Sequence, residues 1–126
     1  MATPTPKPTE SELLLLRALW RLGPSTVRQV LDAVKPERDI GYTTVLKLLQ
    51  IMTDKGLVVR DESERTHVYK ARFNEDQTQK RMVKDLLDRA YDGAASKLVM
   101  HALSSKKASK AERDAIRKLL DDMEAK

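Results

Sequence analysis

A mainly α chain carrying one small β-hairpin is the fold class this sequence predicts, and three observations predict it. Apolar residues recur at helical spacing along most of the 126 residues. One pair of short runs rich in β-formers, Leu57-Val58-Val59-Arg60 and His67-Val68-Tyr69-Lys70, flanks the polar stretch Asp61 to Thr66. Small polar residues that serve as helix N-caps stand before the helical stretches. This length suits one compact unit or two small ones and leaves no room for a large enzyme cleft.

Residues 1–8 hold three prolines at alternate positions and predict an extended or disordered arm, in which Lys7 brushes a phosphate at most. The opening lacks the apolar core of a signal peptide, and Arg17 breaks the Leu13 to Leu16 run at once. A cytoplasmic protein without membrane binding is therefore expected. Thr9-Glu10-Ser11-Glu12 has the pattern of a capping box, which predicts a first helix from Glu10 to about Leu22. Its apolar residues form two stripes, Leu13, Leu16 and Trp20, and Leu15, Leu19 and Leu22, so it should be covered from both sides. Trp20 shares a stripe with leucines and reads as core rather than as a base-stacking platform. Gly23-Pro24 ends this helix, and Ser25 or Thr26 caps a second one with Val27, Val30, Leu31 and Val34 at core spacing. Pro36 stops it, and Glu37 to Gly41 make the turn into a third. Arg28 and Arg38 are candidate phosphate contacts.

Between Tyr42 and Lys55, Val45, Leu48, Leu49 and Met52 fall at i, i+3, i+4 and i+7, one side of a helix facing a core. At 100° per residue the opposite side carries Thr43, Lys47, Gln50 and Asp54, with Thr44 and Leu46 at its flanks. Lysine can bond guanine acceptors or a phosphate, glutamine can bond adenine, and threonine offers a hydroxyl or a methyl to base edges. A polar outer face is also what any solvated helix shows. Gly56 suits a left-handed residue ending the helix, with Lys55 at the negative end of its dipole. The two β-runs then pair as a hairpin. A helix followed by such a ribbon is the order of a winged helix-turn-helix, expected over residues 9–73. Arg65 near the turn, with Arg60 and Lys70, can lie along phosphates; Asp61, Glu62 and Glu64 dilute the positive charge there, which favours positioning on the backbone over deep groove insertion.

After Phe73 the composition changes, and residues 74–126 read as a helical region. Asn74 caps a helix through Asp92, in which Met82, Val83, Leu86, Leu87, Ala90 and Tyr91 spread over about half the circumference. Gly93 breaks or kinks it. Leu98, Val99 and Leu103 mark the next helix, Ser104 to Lys107 a turn, and Ser109 with Glu112 a capping box before a last helix bearing Ile116, Leu119 and Leu120. Three short helices hardly bury this apolar surface alone, so a C2 dimer with interlocking helices is expected, the alternative being helices folded back on the same chain.

Net charge is +5, split as +3 over residues 1–73 and +2 over 74–126, so any nucleic-acid affinity must come from where the charges sit. The absence of cysteine excludes disulfides, thiolate metal sites and cysteine nucleophiles. Neither His67 nor His101 has a nucleophile or paired carboxylate at useful spacing, and none of the four glycines belongs to a phosphate loop. An enzyme is not expected, nor any metal or cofactor.

TESELLLLRALW, YTTVLKLLQIMTDKGLV with VRDESERTHVYKA, and LLDRAYDGAASKLVMHAL resemble, in that order, the penicillinase repressor family of BlaI/MecI/CopY type. The likeness covers nearly the whole chain after Thr9. It implies a homodimer whose two winged helices sit on a palindromic double-stranded operator and repress resistance or membrane-stress genes. By position, Thr43, Thr44 and Lys47 match groove-facing places and Arg65 matches the wing. Antibiotic-sensing members answer to a membrane-bound sensor protease and are cut at an Asn-Phe bond, where this chain has His101-Ala102. Copper-responsive relatives carry a carboxy-terminal cysteine cluster that is absent here. Outside this family reading stand a winged helix used as a protein-interaction module and a non-specific architectural DNA-binding protein.

Overall fold

A computed structural model of the chain describes residues 7–125. Most of the arm expected over residues 1–8 lies outside the described residues; of its last two residues, Lys7 is exposed and Pro8 is buried. The elements run α1 (Glu10–Leu22), α2 (Val27–Val34), α3 (Tyr42–Lys55), β1 (Val58–Asp61), β2 (Val68–Ala71), α4 (Glu75–Ala90), α5 (Ala95–Ser105) and α6 (Lys110–Glu124). Two compact units result, residues 1–82 and 83–126. The division falls inside α4, whereas the composition changes at Asn74; Thr78, on the first turns of α4, is buried.

In the first unit the helix starts follow from local chemistry. Thr9 and Glu12 close a reciprocal capping box on α1, and Thr26 and Gln29 close another on α2. Thr26 is therefore the cap. Ser25 does something else: its backbone exchanges hydrogen bonds with Tyr69 at 2.9 and 2.8 Å, adding a one-residue bridge to the hairpin. A hairpin alone is marginal in water, and this tie helps seat it on the helices.

The core gathers Leu15, Leu16 and Leu19 of α1, Val30, Leu31 and Val34 of α2, and Val45, Leu49 and Met52 of α3 in one cluster with the buried Tyr69 of β2. Each fully buried aliphatic side chain contributes about 1.5–3 kcal/mol. Leu14 is buried as well, whereas Leu22, expected in the second stripe, is 47% exposed because the helix ends there and Gly23 turns the chain away. Trp20 is half-buried against the core, and its indole N–H donates to the Phe73 carbonyl at 3.0 Å.

Gly56 has φ +81° and ends α3: its N–H reaches the Thr53 carbonyl at 3.1 Å, and that of Leu57 reaches Met52 at 2.9 Å. This is the double closure of a Schellman motif. Leu57 is used in that closure and buried, so β1 begins one residue later than expected, at Val58. The strands are antiparallel with Val58 opposite Ala71 and Asp61 opposite Val68, and His67 falls in the turn.

In the second unit α4 stops at Ala90, short of the expected Asp92, because Asp92 (φ +49°) and Gly93 (φ +82°) both turn left-handed. Ser104 and Ser105, expected in a turn, complete α5 by bonding back to the Met100 and Ala102 carbonyls. Ser109 and Glu112 form the expected capping box of α6. Neither α5 nor α6 buries a single residue. Among the described residues no helix is long and apolar enough to cross a membrane.

Candidate nucleic-acid interface

The phase of α3 is set by Val45, Leu49 and Met52, each 0% exposed. Everything half a turn away must then face out, and Thr43, Lys47, Gln50 and Asp54 are all exposed, as is Thr44. Four polar side chains at spacings of four, three and four make one continuous row along the helix. Leu46 departs from the expected site: helical phase leaves it at the flank of the row, and there it is half-buried and packs on the core. Tyr42 and Ile51, which the sequence reading did not single out, are exposed beside the row.

The amino end of α3 differs from that of α1, α2 and α6 in having no side-chain cap, because Gly41 holds the N-cap position. Next to it, the Arg28 guanidinium of α2 lies over the Tyr42 ring, 5.4 Å from its centre. Such a contact contributes about 0.5–1 kcal/mol at an exposed site, a bias of a few-fold toward placing the cation beside the helix start. Arg38 is otherwise engaged. Its guanidinium donates to the Ser11 hydroxyl at 2.8 Å and pairs with Glu10 at 3.5 Å, so it serves first to tie the turn before α3 to α1.

On the hairpin, Arg65 is exposed in the turn and Lys70 is exposed on β2. Arg60 is paired with the exposed Glu62 at 2.9 Å, a partner that any phosphate must compete with. The Asp61 carboxylate accepts the Ser63 N–H at 2.9 Å, and that bond holds its pKa below the ordinary value while it tightens the turn. The wing is thus a polar ribbon whose Arg65 and Lys70 form no ion pair among the described residues. The guanidinium groups of Arg72 and Arg81 lie over the Phe73 ring, 5.3 and 4.0 Å from its centre.

The first unit also holds a pairing that the capping-box pattern of Glu12 does not announce. Glu12 is 2% exposed, and its carboxylate accepts from the Thr9 N–H at 2.8 Å and from Lys55 Nζ at 2.7 Å. Burial alone would raise its pKa; the Lys55 ammonium and the Thr9 amide outweigh that and leave it lowered. No local signal marks a pair 43 residues apart.

In the second unit, Leu86, Val99, Leu103, Leu119 and Leu120 are exposed, Leu87, Tyr91, Leu98 and Ile116 are half-buried, and Ala90 is exposed. His101 Nδ1 lies 3.0 Å from the Tyr91 hydroxyl, with no carboxylate or nucleophile completing a reactive set among the described residues. No group of three or more metal-ligating side chains occurs among them either.

A family model described as penicillinase repressor matches residues 8–122. The transcriptional regulator BlaI of Mycobacterium tuberculosis is 34% identical over 116 residues, which cover 90% of this chain and 83% of that protein. The penicillinase repressor of Staphylococcus aureus is 19% identical over 112 residues, 89% of each chain. Among solved structures, the monomeric form of Bacillus licheniformis BlaI in complex with the blaP half-operator superposes with a TM-score of 0.50 at 18% identity, over 57% of this chain and 88% of that one. That likeness is one of fold.

Proposed function

The chain belongs to the penicillinase repressor family, and from that premise we propose that it is a homodimeric transcriptional repressor which binds a palindromic DNA operator. A DNA-binding repressor of this type needs a helix presented to the major groove and a means of setting two such helices at one spacing.

The observation that carries the reading is the outward row of α3. Its core side is anchored by three fully buried residues, so Thr43, Thr44, Lys47 and Gln50 stand on a rigid support with donors and acceptors of the kind that read base edges. Arg28, Arg65 and Lys70 take phosphates and fix the register; Arg60 and Arg38 contribute less, since Glu62, Ser11 and Glu10 hold them. DNA binding resides in the first unit, dimerisation in the second, and the work is done in the cytoplasm.

The bare helices of the second unit support the dimer. Eight large apolar side chains from Val83 to Met123 are between 42% and 66% exposed. At on the order of 100 Å² apiece they offer about 800 Å² per chain, the area that one partner contributes to a standard interface. For induction, the family resemblance points to a membrane sensor protease. His101-Ala102 lies inside α5, so a cut there requires that helix to open first.

Enrichment of a randomised duplex library by the full-length protein tests the proposal. A palindrome should emerge, with half-sites one helical turn or a multiple apart. Salt-sensitive binding without sequence preference would mean an architectural role, and no binding would leave a protein-interaction module.

A further inference from the structure

Apolar contact is not all that joins α3 to α1. Lys55, the last residue of α3, donates to Glu12 Oε1 in the first turn of α1 at 2.7 Å, and the same oxygen accepts the Thr9 N–H that begins the capping box at 2.8 Å. The neighbouring Ser11 accepts from Arg38, four residues before α3 begins. With Glu10, which pairs with the same arginine at 3.5 Å, three consecutive residues of α1 thus grip the chain on both flanks of α3.

A buried ion pair contributes little net stability, because desolvating the two charges offsets most of their attraction. What it supplies is direction. The contacts of Val45, Leu49 and Met52 resist separation of the helices but are non-directional, and a helix resting on them alone can slide or roll slightly. A short charged hydrogen bond fixes both distance and angle. Side chains that read base edges must arrive within about 0.5 Å and 10–20° of their productive place.

We infer that Glu12 is a positioning residue for operator recognition: through Lys55 it fixes the pitch of α3 on α1, and so the points at which Lys47 and Gln50 enter the groove. Glu12 itself, buried beneath the helix, touches no DNA. The inference rests on the function proposed above.

The test uses full-length protein, the palindromic duplex that the wild type enriches, and a scrambled duplex of equal length. Two variants are compared at a temperature where circular dichroism shows each folded: E12Q, and the doubly apolar E12L/K55M, which removes both charges and keeps the fold if E12Q does not. Each should lose about tenfold or more in affinity for the palindrome, the equivalent of one base pair's reading, with binding to the scrambled duplex unchanged. A role in stability alone would lower the melting temperature and leave the ratio of the two affinities intact. If E12L/K55M keeps the wild-type ratio, the inference is overturned. A wild type that enriches no duplex overturns the parent function instead, before any variant is made.

Discussion

Replacing Leu119 and Leu120 together by glutamate asks whether the bare side of α6 is a subunit contact. They are 59% and 56% exposed, so the chain loses little internal packing when they change. Full burial of a leucine is worth about 1.5–3 kcal/mol, of which about 1 kcal/mol remains to be gained by each when a second copy covers it. Two leucines on each of two chains make about 4 kcal/mol, and at 1.4 kcal/mol per decade the dimer dissociation constant should rise about a thousandfold. Carboxylates buried without partners would add to the effect. Sedimentation velocity over a concentration series reads the constant, and far-ultraviolet circular dichroism should show unchanged helix content. Affinity for the palindrome should fall as the dimer is lost. A folded variant that dimerises with the wild-type constant refutes the assignment of α6 to the interface.

Other consequences follow from the first unit. Leu49→Ala empties a site with no exposure and should cost about 2–5 kcal/mol, read from urea titration as a lower midpoint. Gly56→Ala forces φ +81° on an alanine and brings its Cβ to 3.0 Å from an Arg72 nitrogen; a loss of about 1 kcal/mol or more is expected in the same titration, and an unchanged midpoint would contradict the left-handed closure of α3. Lys47→Ala should cost about 1–3 kcal/mol on the palindrome and relax its preference at one base pair; uniform weakening on all duplexes would reassign Lys47 to phosphate. The lowered pKa of Glu12 sets a pH dependence. Its stabilisation is complete above the ordinary value of about 4.5 and is lost as pH falls through the depressed folded value. The wild-type melting temperature should therefore fall more steeply than that of E12Q as pH drops below that value, and parallel curves would argue against the pair.

Local chemistry made much of this fold legible in the sequence. The Thr9/Glu12 and Ser109/Glu112 boxes and the left-handed Gly56 are short-range devices, and the elements they bound begin or end where those residues require. The outward row of α3 was legible for the same reason, since helical phase alone separates Lys47 from Leu49. The half-burial of Leu46 was not legible, because a flank position can turn either way until its neighbours are known. The strand starts slipped by one residue because β-propensity does not register that Leu57 is needed to close α3. Contacts between distant residues left no trace in the sequence: Ser25 with Tyr69, Trp20 with Phe73, and Glu12 with Lys55 each join residues more than forty positions apart. Arg38 shows the functional side of that limit, because its charge was visible and its engagement by Ser11 was not.

The central claim, that two copies of α3 present their polar rows to one operator, can be tested with a tethered cleavage reagent. Because the chain has no cysteine, Gln50→Cys gives a single attachment point for an iron chelate. The account predicts two symmetric patches of strand cleavage in major grooves on one face of the enriched palindrome, about 10 base pairs or a multiple apart. Cleavage absent from the palindrome, or scattered without symmetry while the labelled protein remains bound, would contradict it.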